Sequence, residues 1–68
     1  MNIVYDYTDQ YWHSEITVYW FDVDGEKYAI SDCNGDLNLL DCNGEPQRLD
    51  GRNLKIFEAL SELYLNEV

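Results

Sequence analysis

Two stretches of this 68-residue sequence have the look of metal chemistry. They are Asp32-Cys33-Asn34-Gly35-Asp36 and, nine residues on, Asp41-Cys42-Asn43-Gly44-Glu45. Oxygen-rich runs of this kind resemble pieces of calcium loops. A calcium-binding helix-loop-helix needs its glycine at loop position 6 and a bidentate glutamate at position 12, and neither is in register here. Zinc needs four ligands at defined spacing, and two cysteines with one histidine do not supply them. No metal and no cofactor are expected. His13 is the sole histidine and stands among Tyr11, Trp12 and Ser14. A histidine beside a hydroxyl is raw material for a nucleophile and its base. The simpler reading is a loop histidine packed among aromatic rings. No nucleophile elbow, phosphate-cradling glycine loop or dinucleotide fingerprint occurs. A catalytic carboxylate pair needs a cleft that drives its pKa values apart, and a chain this short has little volume for one. The expectation is that this is not an enzyme.

The acids are the stronger signal. Fourteen Asp and Glu against four Lys and Arg give a formal charge of −10. Direct binding of nucleic acid requires a basic face that displaces phosphate counterions, and an anionic membrane would repel this chain for the same reason. No apolar run approaches the ~20 residues of a membrane-spanning helix. The first residues carry neither a basic nor an apolar leader pattern. Disorder is not the reading either. The chain is 46% hydrophobic and 15% aromatic, whereas disordered acidic chains are poor in such residues. A single domain over residues 1–68 is expected, with the small core of a chain this size.

Turn signals organise that domain. Asp24-Gly25, Asn34-Gly35 and Asn43-Gly44 each suit a two-residue hairpin loop, whose central positions both need positive φ. Taken literally, the first turn sets Val23 against Glu26, Asp22 against Lys27, Phe21 against Tyr28 and Tyr19 against Ile30. The second sets Asp32 against Leu37 and Ile30 against Leu39. Side chains alternate between faces, so Tyr19, Phe21, Val23, Tyr28, Ile30, Leu37 and Leu39 gather on one face. Ile16, Val18, Trp20, Asp22, Ala29, Ser31, Asp36, Asn38 and Leu40 gather on the other. Asp22 and Lys27 would form a cross-strand ion pair of ~0.2–1 kcal/mol. Residues 2–8 alternate as a further strand, with Ile3, Tyr5 and Tyr7 against Val4, Asp6 and Thr8. A short edge strand is expected over residues 45–49, where Pro46 cannot donate to a ladder. Residues 50–65 read as an amphipathic helix with Ile56, Phe57, Leu60, Leu63 and Tyr64 in its stripe. Asp50 or Asn53 would cap it, with Leu49 and Leu54 as a hydrophobic staple. The fold class is therefore α+β: an antiparallel four- to five-stranded β-meander with one C-terminal α-helix packed on one face. Six residues of strand would hold Cys33 and Cys42 on the order of 20 Å apart, beyond the reach of a disulfide. Free thiols imply a reducing compartment, hence the cytoplasm.

This register sends Asp22, Asp24, Glu26, Asp32, Asp36, Asp41 and Glu45 to the hairpin tips, rims and open face. Same-face neighbours on a strand are ~6.6–7 Å apart. Successive phosphates of a nucleic-acid strand are spaced similarly, given a rise of ~3.4 Å and the winding of the backbone. Glu58 and Glu62 are like charges one helical turn apart, which folding does not favour. Trp20 on the open face and Trp12 in a loop have the character of interface anchors. Small size, high acidity and a compact α+β fold resemble two classes of phage-encoded inhibitors that mimic DNA: anti-CRISPR proteins and uracil-DNA glycosylase inhibitors. The segment Val23-Asp24-Gly25-Glu26-Lys27-Tyr28-Ala29-Ile30-Ser31 is similar to a central hairpin of an acidic Cas9-blocking anti-CRISPR. The resemblance implies a non-enzymatic inhibitor that acts in the host cytoplasm. Its partner would be a basic, nucleic-acid-binding protein such as a CRISPR effector, or a repair or restriction enzyme. Carboxylates would stand in for phosphates, and the inhibitor would be a monomer or weak dimer. The other function these residues suggest is an immunity protein or antitoxin that neutralises a basic toxin.

Overall fold

A computed structural model describes residues 1–11 and 15–67. Trp12 and His13 therefore lie outside the described residues. Four strands, β1 (Ile3–Tyr11), β2 (Ile16–Val23), β3 (Glu26–Cys33) and β4 (Asp36–Leu40), precede one helix, α1 (Gly51–Glu67). The strands form a single antiparallel sheet in the order β1-β2-β3-β4. The helix lies on one side of it, an α+β arrangement of two layers.

The two hairpin turns set the register. Asp24 and Gly25 have φ of 51° and 85°, and Asn34 and Gly35 have 54° and 92°. Positive φ at both central positions gives the twist that closes a two-residue hairpin. Val23 then pairs with Glu26, Tyr19 with Ile30 and Asp32 with Leu37, as the sequence predicts. The core follows from that register: Tyr19, Phe21, Val23, Ile30 and Leu39 from the sheet bury against Ile56 and Leu60 of α1. Phe57, Leu63 and Tyr64 extend the helix stripe and are partly buried, as are Ile3, Tyr28 and Leu37 from the sheet.

Four local expectations are corrected. The alternation of β1 is broken by a bulge between Tyr5 and Tyr7. The extra residue, Asp6, turns Tyr7 onto the open face opposite Trp20, while Tyr5 stays on the core face opposite Phe21. Lys27 then reaches across to Asp6 on β1 instead of pairing with Asp22. The Asn43-Gly44 turn is not of the two-residue kind, since only Gly44 has positive φ, at 81°. Gly44 N–H donates to the Asp41 carbonyl at 3.0 Å, the three-residue loop in which a left-handed glycine follows a type I turn. Finally, no fifth strand forms over residues 45–49. Pro46 makes one isolated bridge to Leu40, flanked by Asp41 N–H to Glu45 O (3.0 Å) and Gln47 N–H to Leu39 O (2.8 Å). The chain then turns at Asp50, whose N–H bonds back to Arg48 O, so the ladder stops after one rung.

The helix begins one residue later than expected, at Gly51, which takes a φ of 53°. Asp50 sits at the capping position, and its carbonyl accepts Asn53 N–H at 3.0 Å. Its carboxylate faces Arg48 Nε at 3.4 Å instead of capping. Asn53 uses its side-chain amide on Arg48 O. Leu49 and Leu54 both stay exposed and belong to neither core cluster.

Candidate interaction face and its charge frame

The sheet face away from α1 is where apolar surface and charge meet. Val18, Ala29 and Leu40 are buried there, although no helix covers them. Ile16 and Trp20 pack against them from the same face. The loop that carries Gly44 and Pro46 folds back over Leu40. Between them runs a groove of 280 Å³ lined by Ile16, Val18, Trp20, Ser31, Leu40, Gly44 and Pro46. The local sequence explains it. Ile16, Val18 and Trp20 alternate in phase on β2, and Leu40 ends β4 on the same side. Tyr7 stacks on the Trp20 ring at 6.2 Å with 22° between planes. The indole Nε1–H of Trp20 is buried with no hydrogen-bond partner among the described residues. Such a donor is costly to leave unmade, and an indole usually finds an acceptor where it is buried at an interface.

Carboxylates frame this face unevenly. Asp22 and Asp36 share the face of Trp20, by register with Lys27 and Cys33. They stand at opposite ends of β3, roughly 20–25 Å apart at ~3.3 Å per residue. Neither makes a side-chain hydrogen bond or ion pair to another described residue, and Glu45 is free in the same sense.

The remaining hairpin acids are engaged within the fold. Asp24 Oδ1 accepts Asn2 N–H at 2.8 Å. Glu26 faces Arg52 at 3.7 Å and accepts the Tyr28 hydroxyl at 3.4 Å. Burial and the Glu26 charge raise the Tyr28 phenol above its ordinary pKa. Asp32 points to the helix side, where Oδ1 accepts Gly35 N–H at 2.8 Å and Oδ2 accepts the Tyr64 hydroxyl at 2.5 Å. Asp41 is half-buried and accepts Asn43 N–H, Glu45 N–H and the Gln47 amide. Glu58 and Glu62 are exposed on α1, in the layer behind the sheet from Trp20.

The predicted site residues thus fall into three sets. Asp22, Asp36 and Trp20 share the open face. Asp24, Glu26, Asp32 and Asp41 shape turns and caps at the ends, with Glu45 in the last loop. Glu58 and Glu62 lie on the helix layer. Tyr7, Leu40 and Pro46 belong to the open face and are missing from the predicted set. Leu40 was legible from the second turn, whereas Tyr7 was hidden by the bulge.

Three of the four basic residues are already paired: Lys27 with Asp6, Arg48 with Asp50 and Arg52 with Glu26. The hydrogen bond to Asp6 raises the Lys27 ammonium above its ordinary pKa. Its cation also sits 5.7 Å from the Tyr7 ring centroid. The field outside the molecule is therefore set by the acids. Cys33 and Cys42 are free thiols at opposite ends of β4, the second exposed. Among the described residues no three His, Cys, Asp or Glu side chains converge as metal ligands, and no helix is long and apolar enough to cross a membrane. Comparison with protein-family models, curated proteins and solved structures gives no match to this chain.

Proposed function

We propose that this chain is a small acidic, non-enzymatic inhibitor that binds a basic nucleic-acid-processing enzyme and excludes its nucleic acid. The observation that carries the reading is the open sheet face. It combines an apolar and aromatic groove with a buried Trp20 N–H and, at both ends of β3, carboxylates that have no side-chain partner among the described residues. Interfaces of this kind have a dry aromatic centre and a polar rim. The roles then divide. The uncompensated acids steer the encounter with a positively charged groove and suppress neutral or acidic competitors. Asp22 and Asp36, at opposite ends of β3, would stand in for two phosphates several nucleotides apart, not for successive ones. Trp20, braced by Tyr7, anchors the complex and sets its lifetime.

The test is capture from a bacterial lysate at low and high salt, followed by challenge with DNA and RNA. A basic nucleic-acid-binding protein should be retained at low salt and released both by salt and by added nucleic acid. Asp22→Asn with Asp36→Asn should slow association, and Trp20→Ala should speed dissociation. A partner that stays bound while its own nucleic-acid site is saturated would overturn the mimicry, and would point instead to neutralisation of a basic toxin.

A further inference from the structure

The sheet has two edges, and they are treated differently. The β4 edge is partly covered by the loop through Pro46, which returns two backbone hydrogen bonds to it. The β1 edge carries no strand among the described residues, and β1 is the longest strand, with nine residues. Among the described residues, four of the six exposed large hydrophobics lie on or beside it: Met1 (63%), Val4 (56%), Tyr7 (47%) and Tyr5 (46%). A long edge is a template for another strand unless it is guarded; the bulge at Asp6 guards this one only in part, leaving regular runs on either side of it.

The register tells which backbone groups are on offer. A two-residue turn makes Val23 and Glu26 a hydrogen-bonded pair. Alternation then turns the backbone groups of Asp22, Trp20, Val18 and Ile16 toward β1. Asp24 N–H to Asn2 O, at 2.8 Å, continues the series. Their partners Val4, Tyr7, Asp9 and Tyr11 face back toward β2. The N–H and C=O groups of Ile3, Tyr5, Thr8 and Gln10 are left pointing outward.

Charge selects the occupant. Between residues 1 and 26 there are six acids and no Lys or Arg. Among the described residues, Lys27 is the basic side chain that pairs with β1, and it is already held by Asp6. A second copy would bring another −10 to this edge, so like-charge repulsion opposes self-pairing. The same acids favour a cationic strand. We propose that β1 is a β-augmentation edge that takes an extended, Lys- or Arg-bearing segment of the partner, pairing through Ile3, Tyr5, Thr8 and Gln10. This rests on the basic partner of the preceding section and specifies how it is gripped. Tyr7, stacked on Trp20, makes the edge continuous with the open face.

The probes are two synthetic nine-residue peptides of equal charge: one alternating Lys and Val, the other carrying two prolines that forbid strand pairing. Each is titrated into the isotope-labelled full chain, followed by backbone amide shifts and hydrogen exchange. The alternating peptide should shift the amides of residues 3, 5, 8 and 10 saturably and slow their exchange. The proline peptide should bind at least about tenfold more weakly. Gln10→Pro removes one outward N–H and should weaken the alternating peptide by a similar factor, with the amide spectrum of β2–β4 unchanged. If that variant fails to fold, the exchange pattern of the unmodified chain decides alone. Equal affinity for the two peptides, or shifts confined to the hairpin tips and α1, would overturn the proposal. The inhibitor reading is judged by displacement with nucleic acid, so either result can fail without the other.

Discussion

Tyr64 ties the helix to the far hairpin through a single side chain. Its hydroxyl donates to Asp32 Oδ2 at 2.5 Å, and its ring leans on Tyr19 with centroids 4.7 Å apart. The other oxygen of Asp32 accepts Gly35 N–H, so one carboxylate joins a turn, a strand and the helix. The hydrogen bond to Asp32, with some burial, pushes the phenol up to about 12. Because the folded state favours the protonated phenol, the bond contributes fully below the unfolded value of ~10. It is lost as the pH rises from about 10 through about 12. Tyr64→Phe should therefore cost about 1 kcal/mol at pH 8 in urea denaturation, the net worth of one such bond. The gap between variant and parent should narrow by pH 11. A gap that stays constant across that range would assign the loss to packing against Tyr19. Half of this arrangement was legible in the sequence. An aspartate three residues before a turn glycine, as in Asp32 to Gly35 and Asp41 to Gly44, is a local signal for a side chain that caps its own turn. The arrival of Tyr64 was not legible, because it joins residues 32 positions apart and depends on the angle of the docked helix. The same limit explains why Asp32 read as a free surface acid; the partners of Asp41 all lie within six residues of it, so its engagement was open to the local signal.

At the scale of elements, α1 is charged against its own dipole. Its first turn holds no acid and its last turn no base. Arg52 and Lys55 stand near the N-terminus, and Glu58 and Glu62 follow toward the C-terminus. The dipole prefers the reverse, and Glu58 with Glu62 adds repulsion between like charges one turn apart. Part of the placement is explained by Arg52, which faces Glu26 of the β2–β3 hairpin at 3.7 Å. Among the described residues no cation pairs with Glu62 in this way. Glu62→Lys should stabilise the chain by about 0.5–1 kcal/mol, from the relieved repulsion, the attraction of the introduced ammonium to Glu58 and the dipole. For a domain of this size that is a rise in Tm of about 2–8 °C. A Tm that is unchanged or lower would mean that Glu62 has a structural role the fold does not reveal. The register of β2, β3 and β4 was readable because two turns and two apolar faces give the same answer. The β1 bulge was not, since period-two alternation cannot count an inserted residue, and Asp6 has its reason in Lys27, 21 positions away. The expected fifth strand failed for a local cause: a glycine at φ 81° makes a three-residue loop, and the chain turns into the helix four residues after Pro46.

At the scale of the whole molecule, the charge of −10 acts on folding and on binding with opposite signs. The molecule measures 33 × 22 × 21 Å. At an ionic strength of about 0.01 M the Debye length is ~30 Å, so nearly every carboxylate feels every other. At about 1 M it is ~3 Å, and only contact pairs survive. Three cations sit in ion pairs, and their attraction is screened as well. They are outnumbered by acids without a counterion, so the net electrostatic term opposes the compact state. Added NaCl should therefore raise the Tm over this range, and choline chloride should do the same if screening, not cation binding, is the cause. Association with a basic partner should respond the other way, its rate falling steeply with the same salt while dissociation changes little. The two measurements on one preparation separate the functions of the charge. A Tm that rises while the association rate holds steady would leave the acids as a solubilising surface and remove steering from the mechanism. Opposite slopes are what a molecule selected to present negative charge, at a cost to its own stability, must display.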